Sequence, residues 1–146
     1  MSSLRRILDV KGYGVWSVLP DTTVYDALRL MDEKNVGAVL VMEGEVLLGI
    51  LSERDYARQI ILKGRASKET AVKEIMSTPV TTAHPEQTPQ EIMEIMTKGN
   101  FRHLPVVEAD GKVVGVISMG DVVRDLLFQK DKRIKEYQQS KKKEIV

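Results

Sequence analysis

Apolar and polar residues follow a definite order of patterns in the first half of the chain. Residues 15–18 have an extended pattern, and apolar residues then recur at helical spacing over 24–31. Two apolar runs follow, 38–42 and 46–51, and the glycine-containing turn between them is typical of a β-hairpin. A second helix is expected after Ser52, because serine is a favoured N-cap residue.

The same order returns in the second half of the chain. An extended segment, 80–82, precedes a helical pattern over 92–96, and the apolar runs 104–107 and 113–117 flank an Asp-Gly turn. Another helix is expected after Ser118. Each half therefore predicts a β-α-β-β-α unit. The predicted fold class is α/β (α+β), with two such repeats packed as a pseudo-twofold pair, since one unit this small is marginally stable alone.

Aligning the chain with itself supports this repeat. A shift of 65 positions places Pro20 on Pro85, and one extra residue in the second hairpin then places Ser52 on Ser118 at a shift of 66. The alignment predicts four parts, which are repeat 1 (10–62), a linker with a helical lead-in (63–75), repeat 2 (76–128) and a basic C-terminal helix or tail (129–146).

Composition and charge are those of a soluble globular protein and exclude several kinds of site. The chain of 146 residues is 42% hydrophobic and 29% charged, and its net charge of +1 creates no overall attraction for nucleic acid or membranes. It has no cysteine, which excludes disulfides, thiolate catalysis and cysteine-bound zinc. Its longest apolar run, 36–42, is far shorter than the ~20 residues of a membrane-spanning helix, and no signal peptide is evident. We expect a cytoplasmic protein.

One motif, G-x-x-S-x-x-D, closes each repeat, at 49–55 and at 115–121. With the repeated order of elements, it resembles the cystathionine β-synthase (CBS) domain pair, or Bateman module. The run 101–107 also looks like the second strand of that family. The resemblance covers about residues 10–128 and extends to small stand-alone CBS-pair proteins. It implies two clefts between the repeats, which in many members bind AMP, ADP, ATP, NAD or S-adenosylmethionine.

The motif residues are the candidate ligand contacts. Ser52 and Ser118 lie where a strand enters a helix, so their hydroxyls can face a phosphate. Asp55 and Asp121 can accept hydrogen bonds from both ribose hydroxyls. Alternatively these residues act only as helix caps and first-turn acids, each stabilising by roughly 1 kcal/mol, and both roles can coexist. The resemblance also implies ligand contacts along the strands, at Val15, Trp16, Val18, Thr81, Thr82, Leu104 and Pro105, although Trp16 fits the core or a dimer interface better than a stacking contact.

Basic residues near the two motifs differ between the repeats. Arg54 lies inside the first motif, where the second has Gly120. Arg102-His103 precede a strand of repeat 2, where repeat 1 has Gly37-Ala38. We expect each cleft to keep one source of positive charge, so that both can hold a phosphate with unequal preferences. The small Gly37-Ala38 pair would leave room for a longer ligand such as a dinucleotide.

These features predict a non-catalytic regulatory module that binds an adenine nucleotide. AMP is the first choice, with NAD, ADP or ATP as alternatives, and the module would report energy or redox state to an unknown protein target in trans. No enzyme, catalytic cofactor or metal site is expected, because the sequence has no P-loop and no nucleophile elbow, and its two histidines, His84 and His103, stand apart. The resemblance implies a homodimer that forms through the helices at 56–62 and 122–128.

Two other functions are compatible with the sequence. One is a structural or interaction module with vestigial clefts, which would bind no nucleotide. The other is a nucleic-acid-binding protein that uses the lysine-rich tail after Phe128, where seven lysine or arginine residues crowd the last stretch. The acidic residues interspersed among them favour a solvated helix end over a nucleic-acid contact.

Overall fold

The computed structural model describes the backbone of residues 3–145 and the side chains of residues 3–141. Both repeats contain the predicted helix, hairpin and second helix, and an additional helix, α1 (Leu4–Lys11), precedes them. Repeat 1 holds β1 (Ser17–Val18), α2 (Val24–Lys34), β2 (Ala38–Glu43), β3 (Val46–Ser52) and α3 (Glu53–Tyr56), and repeat 2 holds α4 (Pro89–Gly99), β4 (His103–Val107), β5 (Val113–Ser118) and α5 (Met119–Ile145).

The sheets confirm the predicted hairpins. In repeat 1, β1 pairs in parallel with β2, and β2 pairs antiparallel with β3. In repeat 2, β4 and β5 form the matching antiparallel pair, and each hairpin has one irregularity at the same place, after Val41 and after Val106. The first four residues of β2 are buried, as its unbroken apolar run predicts for a strand covered on both faces.

The extended segment predicted at 80–82 does not form the first strand of repeat 2. The parallel contact in this part of repeat 2 is a single bridge between Ala83 and Val106. Proline has no N–H group with which to extend a ladder, and Pro79 and Pro85 bracket this segment closely. The backbone therefore touches the sheet at one point instead of joining it as a strand.

The first helix of each repeat begins and ends in the same way. Thr23 and Thr88 are the N-caps of α2 and α4, and each side chain accepts a hydrogen bond from a backbone N–H of the first turn. Asn35 and Asn100 end these helices in the left-handed conformation, at φ values of 53° and 58°. Asparagine tolerates this conformation better than most residues. The two asparagines are aligned in the repeat, and they end the first helix of each repeat in the same way.

The helices that follow the two motifs differ in form. The first, α3, is a single α-helical turn that continues as a π-helical turn over Ala57–Ile61. The second, α5, runs unbroken for 27 residues to Ile145. Helix is thus present in both predicted positions, 56–62 and 122–128, and in the basic tail. The side chains of Lys142 and Lys143 lie outside the described residues.

Two separate hydrophobic clusters form the core, and each repeat completes its cluster with a segment from outside the hairpin and its helices. The cluster of repeat 1 takes Val72 and Ile75 from the connecting segment. The cluster of repeat 2 takes Leu4, Ile7 and Leu8 from α1, and the two leucines are fully buried there. The N-terminal helix therefore belongs to the core of the second repeat, although it precedes the first in sequence.

Candidate functional site

The repeated motif forms the same strand-to-helix corner in both repeats. The Ser52 hydroxyl accepts a hydrogen bond from the Asp55 N–H at 3.2 Å, and Asp55 Oδ2 accepts one from the Ser52 N–H at 3.0 Å. Ser118 and Asp121 repeat this arrangement at 3.1 and 2.8 Å. This reciprocal arrangement is a capping box. Capping is thus one role of these residues, and it leaves Oδ1 of each aspartate for other partners.

A cleft of about 540 Å³ opens beside the first motif. Its walls come from both repeats, because the β3–α3 corner faces the segment before Ala83 and the turn between α4 and β4. We call it the first cleft. It is lined by Gly37, Ile50, Ser52, Glu53, Arg54, Asp55, Arg58, Ser77, Pro79, Val80, Thr81, Gly99, Asn100, Phe101, Arg102, His103 and Leu104.

Positive charge is concentrated in the first cleft. Three arginines, Arg54, Arg58 and Arg102, line it together with His103, and they outnumber the two acidic lining residues. Arg54 reaches across to repeat 2, where its Nη1 donates to the Asn100 carbonyl at 3.3 Å. These groups provide a cationic wall opposite the Ser52 and Asp55 corner.

The predicted division of cations between two clefts is therefore wrong. Arg102 and His103 line the same cleft as Arg54, since the start of β4 packs against repeat 1 at the pseudo-twofold contact. His103 lies so near Gly37 that a Cβ added to this glycine would be 3.3 Å from the ring Nε2. The imidazole thus occupies the space that the small Gly37-Ala38 pair was expected to leave for a longer ligand.

The pKa of His103 is lowered in this setting. Burial lowers its pKa below 6.5, and the positive charges of Lys11 and Arg102 lower it further, against a smaller opposite effect of Asp121. A neutral imidazole can both donate and accept a hydrogen bond. At pH 7 the net charge of the cleft wall is therefore carried by the arginines.

The second motif has a different environment. The Asp121 side chain is only 8% exposed, and Lys11 Nζ lies 2.6 Å from its Oδ2. Arg124 Nη2 lies 2.8 Å from Oδ1. Burial alone would raise the pKa of Asp121, but the hydrogen bonds from Lys11 and from the Ser118 N–H, with the charge of Lys11, bring the pKa below 3.8. We call this arrangement the Asp121 site.

The structure brings together about half of the residues predicted from the sequence. Eight of them line the first cleft, namely Gly37, Ser52, Arg54, Asp55, Thr81, Arg102, His103 and Leu104. Thr82 lies in a shallower depression beside His84 and Glu86. Ser118, Gly120 and Asp121 form the other corner. The remaining predicted contacts lie outside both depressions, namely Val15 and Trp16 just before β1, and Val18, Ala38 and Pro105 within strands.

Three of these residues, Trp16, Ala38 and Pro105, have evident structural roles. The Trp16 carbonyl accepts from the Leu40 N–H at 3.0 Å, and its indole ring lies 4.4 Å from the Lys34 ammonium. Ala38 pairs with Ser52 across β2 and β3. The Pro105 carbonyl accepts from the Ala83 N–H at 2.8 Å.

Several residues of the first cleft and of the Asp121 site were not identified from the repeated motifs. Arg58 had a usable signal, because it aligns with Arg124 in the repeat. Ser77 and Lys11 had none, since both lie outside the repeated elements and reach the aspartates only through tertiary packing. Among the described side chains, no group of three or more histidine or acidic residues is placed to hold a metal ion.

A model of the CBS domain family matches residues 10–62 and 72–127, which include both motifs. Two repeats of this form, with a cleft between them, define a CBS domain pair. The chain belongs to the CBS domain family, and the resemblance expected from the motifs is confirmed.

Its relatives include stand-alone CBS-pair proteins. It is 34% identical to CBS domain-containing protein YhcV of Bacillus subtilis over 122 residues, which cover 84% of each chain. It is 42% identical to the mitochondrial CBS domain-containing protein CBSX3 of Arabidopsis thaliana over 123 residues, covering 81% of this chain and 59% of that protein. The chain thus spans about three fifths of the length of CBSX3.

Solved structures share the fold. A putative signal-transduction protein with CBS domains from Burkholderia ambifaria superposes with a TM-score of 0.82 at 42% identity, covering 86% of this chain and 93% of that one. The CBS-domain-containing protein ATU1752 from Agrobacterium tumefaciens gives 0.80 at 38% identity, covering 85% and 98%. Within the part of the chain that the structure describes, no helix is long and apolar enough to cross a membrane.

Proposed function

We propose that this protein is a regulatory module that binds an adenine nucleotide in the first cleft. The observation that carries the proposal is the position of Asp55, whose carboxylate faces a cleft with a wall of three arginines. A carboxylate beside a cationic surface matches a nucleotide, which presents ribose hydroxyls at one point and phosphate at another.

The ribose would bind at Asp55. Apart from the capping bonds on Oδ2, this carboxylate has one long contact, in which Ser77 Oγ lies 3.3 Å from Oδ1. A hydroxyl can turn away or redirect its hydrogen bond toward a ligand. The two ribose hydroxyls can therefore reach Asp55 without breaking an ion pair.

The phosphate would bind at the arginines. Guanidinium groups present several N–H donors in one plane and often bind phosphate oxygens in pairs. Arg54, Arg58 and Arg102 approach the cleft from α3, from the π-helical turn and from the start of β4. Because they come from both repeats, a phosphate held among them would link the two repeats.

The adenine would lie on the apolar part of the wall. Ile50, Val80, Phe101 and Leu104 supply this surface, and a volume of about 540 Å³ lies within the usual range for small-molecule sites. AMP is the first choice of ligand, with ADP, ATP and NAD as alternatives. His103 fills the space beside Gly37 and favours the shorter nucleotide.

Regulation would follow from the position of the cleft between the repeats. A ligand shifts a conformational equilibrium only by binding one state better than another. A nucleotide that bridges the arginines of both repeats would stabilise the state in which the repeats are closed on each other. We propose that this state acts on a protein target in trans, and that the module works as a homodimer in the cytoplasm.

Isothermal titration calorimetry with AMP, ADP, ATP and NAD tests the proposal. We expect AMP to bind to the native protein, and Asp55→Ala and Arg54→Ala each to weaken binding at least tenfold. Asp26→Ala is the matched control, because Asp26 is also a first-turn acid, in α2, and lies outside the cleft. If none of the four nucleotides binds, the sensor function is wrong; binding that both cleft variants retain would show that the site is misplaced.

A further inference from the structure

Each motif aspartate is contacted by a residue from outside its own hairpin and helix. In repeat 1 this residue is Ser77, whose N–H donates to the Ile50 carbonyl at 2.9 Å and whose hydroxyl lies 3.3 Å from Asp55. In repeat 2 it is Lys11, whose ammonium donates to the Val116 carbonyl at 2.8 Å and to Asp121 at 2.6 Å. Ile50 and Val116 each follow the repeated glycine, so Ser77 and Lys11 occupy equivalent places.

The segments that carry these residues are also equivalent. A Cβ added to Gly49 would lie 2.5 Å from Met76 Sδ, and one added to Gly115 would lie 2.6 Å from Leu8 Cδ2. The connecting segment therefore covers the first hairpin as α1 covers the second. Ser77 and Lys11 follow these covering residues closely in sequence, and this places one beside each aspartate.

The two residues differ in chemistry. A serine hydroxyl is neutral and can both donate and accept, whereas a lysine ammonium only donates and carries a full charge. Ser77 lies in an open cleft. Lys11 pairs with a carboxylate that is only 8% exposed and whose other oxygen is bonded to Arg124. A ribose that approached Asp121 would have to separate a charged pair, and the partly buried setting makes this separation costly.

We infer that Lys11 closes the Asp121 site to ribose, so that each chain binds one nucleotide, in the first cleft. This inference rests on the proposed function. It assigns to α1 the role of making the two repeats unequal in their ability to bind a nucleotide. Replacing Lys11 by serine would remove this charged partner, because a serine hydroxyl is too short to reach the carboxylate that the Lys11 ammonium contacts. The charged partner that remains, Arg124, has a side chain that is 73% exposed and can turn into solvent.

Calorimetric titration with AMP measures the number of sites directly. We expect one site per chain for the native protein and two for Lys11→Ser, and one again when Asp121→Ala is added to Lys11→Ser. Lys73→Ser is the matched control, because Lys73 also forms an ion pair, with Asp21, but its side chain is exposed and lines neither the first cleft nor the second depression. It should leave one site.

A second variant keeps the inference testable if Lys11→Ser is too unstable to titrate. Asp121→Asn alone should retain one site with AMP affinity unchanged within twofold, because Asp121 is not a ligand in the native protein. Two sites in the native protein, or one site in folded Lys11→Ser, would overturn the inference and leave the proposed function standing. A native protein and a Lys11→Ser variant that both bind no AMP would overturn both.

Discussion

At Asp121 three donors converge on one buried carboxylate. The Lys11 ammonium and the Ser118 N–H reach Oδ2, and the Arg124 guanidinium reaches Oδ1. At Asp55 the donors are the N–H and hydroxyl of Ser52 and the hydroxyl of Ser77, which bring no charge. Two aspartates with the same place in the motif therefore differ in what they contribute to stability.

We predict that Asp121→Ala destabilises the protein by about 1–3 kcal/mol more than Asp55→Ala. Both changes remove a helix cap, but Asp121→Ala also removes charge-assisted hydrogen bonds and leaves Lys11 without its partner. The difference in destabilisation stays small because the Lys11 side chain is 38% exposed and can be hydrated. Urea unfolding of the two variants at pH 7.5, without nucleotide, measures the difference; equal losses would contradict the asymmetry.

His103 gives the protein a predicted pH dependence. Its pKa is below 6.5 in the folded state, because it is buried and faces Lys11 and Arg102, with Asp121 acting in the opposite sense. The unfolded chain therefore binds a proton at a higher pH than the folded protein does. Stability should fall as the pH decreases through about 6.5 toward the folded pKa.

Comparison with His103→Gln isolates this effect. Between pH 7.5 and 5.5 the native protein should lose more free energy of unfolding than the variant, since glutamine does not titrate. Asp121 contributes in a lower range, because its folded pKa lies below 3.8 and its stabilisation is lost only as the pH falls through that value. Parallel pH profiles for the two proteins would contradict the assignment to His103.

At the scale of elements, the position of α1 against the second hairpin depends on Gly115, which has no side chain to collide with Leu8. A Cβ at position 115 would lie 2.6 Å from Leu8 Cδ2 and 3.2 Å from Cδ1, and Leu8 is fully buried. The helix would have to move outward or Leu8 would have to leave its preferred rotamer. Either change would also pull Lys11 away from Asp121.

We therefore predict that Gly115→Ala destabilises the protein by about 1–3 kcal/mol, the usual cost of overpacking. Gly14→Ala is the matched control, because a Cβ there meets nothing within 4 Å. It should change the free energy of unfolding by less than about 0.5 kcal/mol. Thermal or urea unfolding of both variants checks the prediction, which fails if the two glycines tolerate alanine equally well.

The sequence predicted the elements that carry a local signal. The first helix of each repeat, the two hairpins and the helices after Ser52 and Ser118 follow from residue types and periodicity, and the structure has all of them. The sequence did not predict that α1 completes the core of repeat 2, or that the connecting segment completes the core of repeat 1. Leu4 and Leu8 show that a short helix has an apolar face, but nothing near them specifies which hairpin that face will cover.

The candidate site was predictable only in part for a similar reason. Ser52 and Asp55 were found because they recur as a motif. The sequence did not predict that Arg54, Arg102 and His103 line the same cleft, because this depends on how one repeat packs against the other. Alignment of the two copies shows which residues correspond, but not which of them share a cleft.

At the scale of the whole molecule, exposed apolar side chains mark the proposed dimer surface. Ile61 and Leu62, after the first motif, are 58% and 78% exposed, and Leu127 and Phe128 on α5 are 57% and 56% exposed. Exposed apolar side chains on both segments implied by the family resemblance, 56–62 and 122–128, favour a buried interface.

We predict that the native protein has twice the 16.4 kDa chain mass in solution, and that Leu62→Asp with Leu127→Asp reduces it to one chain. Val46→Asp is the matched control, because Val46 is 60% exposed but lies on the β2–β3 hairpin. Size-exclusion chromatography with light scattering measures the masses. A native protein that is monomeric at the concentrations used for calorimetry would contradict the predicted dimer.

The placement of α1 has a consequence for how the chain reaches its folded state. Its buried leucines belong with Ile92, Leu104 and Ile117, which the ribosome adds about a hundred residues later. Chains elongate at roughly 5–20 residues per second, so the N-terminal helix leaves the exit tunnel seconds before its binding surface exists. Repeat 1 can complete its core from the connecting segment and fold first. Although α1 is synthesised before both repeats, it would thus be among the last elements to reach its native position, and Lys11 would meet Asp121 only after repeat 2 has been made.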